Sequence, residues 1–109
     1  MRSLKNKAIG VFDSGLGGLT VVKELKKALP HERIVYFGDT ARVPYGNKSK
    51  EVILRYSREI ANFLKSQDVK MIVIACNTAS AFALKELQEE LSIPVIGVID
   101  KKTKMAVSI

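Results

Sequence analysis

The sequence predicts an α/β domain: a doubly wound parallel sheet of four strands with flanking helices. Two observations carry this expectation. Short apolar runs alternate along the chain with longer stretches of helical periodicity, giving the order βαβαβαβ. The strand runs are also apolar on both faces, as in a parallel sheet covered from both sides and joined by right-handed crossovers.

Residues 8–12, AIGVF, form the first apolar run, and DSGLGG (residues 13–18) breaks it. From Leu19, the apolar residues Leu19, Val22, Leu25 and Leu29 recur at helical spacing among lysines and a glutamate, until Pro30 stops the pattern. RIVYFG (residues 33–38) reads as the second strand. The polar segment 39–48 contains Pro44 and Gly46 and reads as a loop. Ser49 is a candidate N-cap for a second helix, whose apolar side carries Ile53, Tyr56, Ile60, Phe63 and Leu64. The third strand is expected at residues 71–75. A third helix follows with Ser80, Leu84, Leu87 and Leu91 on one side, and PVIGVI (residues 94–99) is the fourth strand.

One hundred and nine residues with 47% hydrophobic content suffice for one domain with a core. No apolar run approaches the length of a membrane span. The apolar segment near the N-terminus breaks at Asp13, which argues against a signal peptide. The single cysteine, Cys76, excludes an intramolecular disulfide framework and fits a reducing cytosol. No Cys/His cluster points to zinc, so no metal is expected. The net charge of +7 is spread along helical faces, apart from Lys101, Lys102 and Lys104 in a basic tail. With no zinc-finger or RRM signature, a solvated basic surface with affinity for small anions is a better reading than a nucleic-acid interface.

Ligands of doubly wound sheets bind beyond the carboxyl ends of the strands. In this sequence that edge collects Asp13 and Ser14, then Asp39, Thr40, Arg42, Pro44 and Tyr45, then Cys76, Asn77 and Thr78, and finally Asp100. Polar and potentially reactive residues fall at every strand end, and this convergence argues for a site. A lone cysteine is otherwise often a small buried hydrophobe. Between a buried strand and a helix start, however, the helix N–H groups favour its thiolate.

DSGLGG departs from both GxGxxG and a Walker loop. Its glycines permit a tight strand-to-helix turn, or a close backbone approach to an anion. Asp13 in that turn is either a structural cap or a proton-handling group. For Cys76, a phosphatase loop would place an arginine at position 82, which is Phe82. A thioredoxin motif would place a cysteine at Ala79. A Cys–His hydrolase needs a histidine, and the only one, His31, falls on the amino side of a strand. What remains is a thiolate acting as a proton base. Asn77 and Thr78 are then either donors to a carboxylate or amide ligand, or simple helix caps.

Four segments together carry a resemblance: IGVFDSGLGGLTVV (residues 9–22), YFGDTARVPYGNKS (36–49), IACNTAS (74–80) and IPVIGVI (93–99). They resemble the amino-terminal half of glutamate racemase, a family of the cofactor-independent aspartate/glutamate racemase superfamily. The resemblance implies that Cys76 is one of two catalytic bases and that Asp13, with Ser14, contacts the substrate amino group and assists that base. It implies that Pro44, Tyr45 and Gly46 form a loop binding the substrate carboxylates, with Asn77 and Thr78 as further donors. The implied reaction removes the α-proton of glutamate from one face and returns it on the other, without cofactor, in the cytoplasm, supplying D-glutamate for peptidoglycan. The family reading allows a homodimer and implies neither nucleic-acid nor membrane partners.

The resemblance also implies a second cysteine, in a Cys-Thr-His stretch of a second α/β domain. This sequence contains neither. The expectation is therefore an incomplete first racemase domain at residues 1–100 and a basic tail at 101–109 where the second domain would begin. Such a chain is expected to be inactive alone, its missing half belonging to the same gene or to another polypeptide. The other readings are a dicarboxylate-binding module and a non-functional truncated remnant.

Overall fold

A computed structural model describes residues 6–15 and 18–97. Four parallel strands form one sheet: β1 (Ala8–Asp13), β2 (Ile34–Gly38), β3 (Val69–Ile74) and β4 (Val95–Gly97), in the spatial order β2-β1-β3-β4. Three helices connect them: α1 (Gly18–Ala28), α2 (Lys50–Ser66) and α3 (Asn77–Glu90). The doubly wound α/β architecture is the one expected from the sequence. Leu16, Gly17, the last residues of the expected fourth strand, Asp100 and the basic tail lie outside the described residues.

Strand alternation divides the core into two layers. Ala8 and Phe12 of β1 and Ile72 and Ile74 of β3 pack with Ile53, Ile60, Ala61 and Leu64 of α2 and Ala79, Ala83 and Leu87 of α3. Ile9, Val11 and Val73 face the other way, against Val21, Val22 and Leu25 of α1. Every residue of β1 is buried, because it lies between two strands and two helical layers. The edge strand β2 is half-buried throughout.

Three sequence expectations shift. The third strand begins at Val69 rather than Met71. Lys70 interrupts the apolar run, but it sits at a register irregularity where Ala8 pairs with Val69 and Ile9 already pairs with Met71. That bulge turns Val69 onto the α2 side, and the Lys70 ammonium leaves the sheet to meet Glu32 at 2.6 Å. Leu19 in α1 is 62% exposed and Leu29, just past its end, 44%, so the face that packs is Val21, Val22 and Leu25. Phe63, expected on the buried side of α2, is 45% exposed and packs its ring at a tilt against Phe37 on the edge strand, with ring centroids 5.5 Å apart.

The start of α2 matches its signal. The Ser49 hydroxyl accepts the Val52 N–H at 3.2 Å, satisfying a donor of the first turn. Within the helix, the buried Ser57 hydroxyl donates to the Ile53 carbonyl at 2.7 Å, so a polar residue sits in the core without an orphaned group. The Asp68 turn into β3 adopts φ 62°, a left-handed conformation that aspartate tolerates better than most residues. Among the described residues, no helix is long and apolar enough to cross a membrane.

Chemical denaturation separates the two kinds of support. Leu64→Ala removes a fully buried side chain between α2 and the sheet and is expected to cost about 2–5 kcal/mol. Ser49→Ala removes only the cap and should cost about 0.5–2 kcal/mol. Equal losses for the two would contradict this placement of the core.

Candidate active site

At β1 the direction of winding reverses. The chain leaves β1 through α1 to one face of the sheet and leaves β3 through α3 to the other. A crevice therefore opens between the carboxyl ends of β1 and β3, the position where sheets of this kind bind ligands. Asp13, Ser14 and Gly15 emerge on one side of it and Ala75, Cys76 and Asn77 on the other. The two ends are tied, since the Ala75 N–H donates to the Phe12 carbonyl at 2.7 Å. The loop after β2 is tied to β1 in turn, by the Asp39 N–H donating to the Asp13 carbonyl at 2.9 Å.

Asp13 is fully buried. Its Oδ2 accepts the Gly15 N–H at 3.0 Å and the Tyr36 hydroxyl at 3.2 Å. Gly15 has φ +106°, and a Cβ there would lie 2.8 Å from Thr40 Cγ2. The turn thus needs glycine both for its conformation and for contact with the β2 loop. Ser14, next to it, is 5% exposed.

Cys76 is the N-cap residue of α3 and makes no side-chain capping bond. It is 8% exposed and joins the core cluster that contains Phe12 and Tyr45. Asn77 is exposed and Thr78 half-buried, both in the first turn of α3. They are not the caps, because that position belongs to Cys76. No acidic side chain lies in this first turn, and the positive end of the helix dipole points toward the strand ends.

The Pro44–Tyr45–Gly46 segment is built differently from a loop that offers its side chains. The Tyr45 side chain points inward and is 2% exposed, with its ring 6.3 Å from Phe12 and 5.7 Å from Tyr56. Its hydroxyl donates to Asp39 Oδ2. What the segment presents outward is the exposed Pro44, after a cis peptide bond, and the backbone of Gly46, around which nothing lies within 4 Å of a hypothetical Cβ. Beneath it, Arg42 donates through Nε to Asp39 Oδ2 at 2.8 Å and through Nη1 to Glu59 Oε1 at 2.7 Å. The guanidinium also lies 3.8 Å over the Tyr56 ring. Asp39 is thus buried with both a cationic and a phenolic donor. Burial, then the hydrogen bond and charge of Asp39, push the Tyr45 phenol far above its ordinary range, with Cys76 acting in the same direction and Arg42 against it.

The structure therefore brings Asp13, Ser14, Cys76, Asn77 and Thr78 to adjacent strand ends and holds the 44–46 segment on Asp39 at the same edge. His31 lies in the turn before β2, at the opposite end of the sheet, as the sequence suggested. Tyr36 and Glu59 were not singled out by the sequence. Tyr36 could have been found from its spacing, two residues before a glycine on a strand that ends at the site. Glu59 carries no local signal, because its partner lies 17 residues away.

Fold and site together define a class: α/β proteins whose parallel sheet carries a carboxylate and a thiol at the adjacent strand ends of its switch point. Comparison with known proteins makes this specific. The family described as Asp/Glu/Hydantoin racemase matches residues 9–108. The chain belongs to that family. It is 63% identical over 103 residues to a glutamate racemase of Geobacter metallireducens and 59% identical over 98 residues to one of Aquifex aeolicus. These alignments cover 94% and 90% of this chain, but the chain spans only 38% and 39% of those relatives. Among solved structures, glutamate racemase of Thermus thermophilus in complex with beta-chloro-D-alanine superposes with a TM-score of 0.84 at 58% identity, over 87% of this chain and 37% of that one. The Francisella tularensis glutamate racemase in complex with D-glutamate gives 0.81 at 56% identity, over 86% and 36% respectively.

The Tyr45 phenol yields a pH prediction. Its folded pKa lies above the unfolded value of 10.0, so its contribution is intact below pH 10 and is lost as the pH rises further. Tyr45→Phe should cost about 1–3 kcal/mol near neutrality through the lost bond to a carboxylate. It should also flatten the alkaline loss of stability, with the Tyr36 phenol accounting for the slope that remains. Denaturation curves collected between neutral and strongly alkaline pH check both effects.

Proposed function

We propose that this chain is the amino-terminal portion of a glutamate racemase and carries one of the two thiols that exchange the α-proton of glutamate. The observation that carries the reading is the placement of Asp13 and Cys76 at the adjacent carboxyl ends of β1 and β3, within a chain 63% identical to a glutamate racemase over 103 residues. Residues 1–100 then form the first catalytic domain and the tail from 101 leads toward a second.

The chemistry follows from the substrate. An α-proton beside a carboxylate is very weakly acidic, so the base must be strong where it acts and the developing charge must be met by fixed donors. A free thiol with a pKa of about 8.5 is mostly protonated at neutral pH. Cys76 is the N-cap residue of α3, whose first turn carries no acidic side chain. It takes the α-proton from one face of glutamate, and the C–H electron pair passes into the adjoining carboxylate. Asp13 and Ser14 hold the amino group. Asn77, Thr78 and the outward backbone of residues 44–46 hold the carboxylates. Reprotonation on the opposite face needs an acid beyond Cys76, which is the role assigned to a second racemase domain. In the cell, such an enzyme works in the cytoplasm and supplies D-glutamate to peptidoglycan.

The test compares this chain alone with the chain joined to the remaining portion of the Geobacter metallireducens relative. Racemisation of L-glutamate is followed by circular dichroism, and α-proton exchange in D2O by NMR. The joined protein should racemise and the chain alone should not. Cys76→Ser in the joined protein should lower the rate by about 10²–10⁴-fold. Racemisation that survives this substitution undiminished would remove Cys76 from the reaction.

A further inference from the structure

The β2 strand contributes a residue to the site that neither its motif nor its position at a strand end marks. In the parallel register, Val11 pairs with Tyr36 and Asp13 pairs with Gly38. Tyr36 and Gly38 are two apart on one strand, so they share the α1 face of the sheet with Asp13. Opposite Asp13 there is no side chain. The Tyr36 ring fills that space instead: a Cβ at Gly38 would lie 2.8 Å from the Tyr36 hydroxyl and 3.2 Å from its ring carbons. From there the hydroxyl reaches Asp13 Oδ2 at 3.2 Å. We propose that Tyr36 is a positioning residue for the Asp13 carboxylate, and that position 38 is glycine so that the Tyr36 hydroxyl can lie across it.

The carboxylate is thereby gripped from two directions, by the Gly15 N–H at its own turn and by Tyr36 from the neighbouring strand. Both bonds fall on Oδ2, which fixes the rotation of the group and turns Oδ1 to a defined direction. Partial burial, the charge of Asp13 and the bond itself all raise the Tyr36 phenol, so it remains a donor at every pH where the site would work. The consequence for catalysis rests on the reading that Asp13 handles the substrate amino group. The positioning contact does not.

Two variants break the contact in opposite ways. Tyr36→Phe keeps the ring beside Asp13 and removes the donor. Gly38→Ala keeps the donor and displaces it, at low cost to the fold because the atom that must move is the far end of the tyrosine. In the 109-residue chain, the 13C resonance of the Asp13 carboxyl should move in each single variant, and the double variant should add nothing to Tyr36→Phe. In the joined protein, Tyr36→Phe should lower kcat about tenfold or more, with a displaced pH–rate profile and little change in KM. An unmoved Asp13 resonance in Tyr36→Phe, or additive effects of the two substitutions, would overturn the proposal. A melting temperature that falls while the Asp13 signal and the pH profile stay in place would also overturn it, making Tyr36 merely structural. If the unsubstituted joined protein does not racemise, the glutamate reading fails, while the Asp13 resonance still decides the role of Tyr36.

Discussion

The parallel pairing of β1 with β2 on one side and β3 on the other is the constraint on which the rest of the molecule depends. It buries all six residues of β1 and lines up three strand ends within one backbone hydrogen bond of one another. The reversal of winding at β1 sends the two following helices to opposite faces. That separation leaves polar chain ends on both sides of the switch point, where sheets of this kind bind ligands. No single side chain creates the site. It is the product of strand order, and the side chains make use of it.

Two buried carboxylates then define the edge. Each is stabilised by a tyrosine hydroxyl that burial keeps neutral. At Asp39 the partners include the Arg42 guanidinium, itself braced by Glu59 and the face of Tyr56, so the charge is compensated locally. The outcome is a rigid underside to the 44–46 segment. A segment so held can present its backbone at a fixed position without further contacts above it. At Asp13 the partners include one backbone N–H and one phenol, both on Oδ2.

Much of this was legible in the sequence, for identifiable reasons. Element order followed from periodicity because the strands are buried on both faces and the helices are amphipathic. The Ser49 cap and the polar strand ends were visible because each is a local signal. The start of β3 was hidden because Lys70 interrupts the apolar run, and only a bulge with an ion pair to Glu32 makes a lysine acceptable there. Of the helical-spacing residues read along α1, Val22 and Leu25 pack on the core while Leu19 and Leu29 lie exposed, because periodicity alone does not show where the sheet ends beneath a helix. The loop at 44–46 was read as a set of ligands by kind. Nothing local reveals that Tyr45 turns inward to Asp39, because that choice depends on Phe12 and Tyr56 closing around the ring.

The two carboxylates also depend on a single strand, and this ties fold to site more closely than either alone suggests. Along β2 and the residue beyond it, Ile34 and Tyr36 face α1, while Val35 and Phe37 face α2 and α3. Continuing the alternation, Gly38 falls opposite Asp13 on the first face, and Asp39 turns to Tyr45 on the second. Six consecutive positions, 34–39, therefore serve both layers of the core and then both acidic groups of the edge. A slip of one residue in the pairing would place Phe37 on the α1 face beside Asp13 and remove the phenol from its reach. The apolar demand of the two layers forbids that slip. The same burial that stabilises the sheet thus fixes which donor each carboxylate receives, so the chemistry of the edge is set by the register of the core.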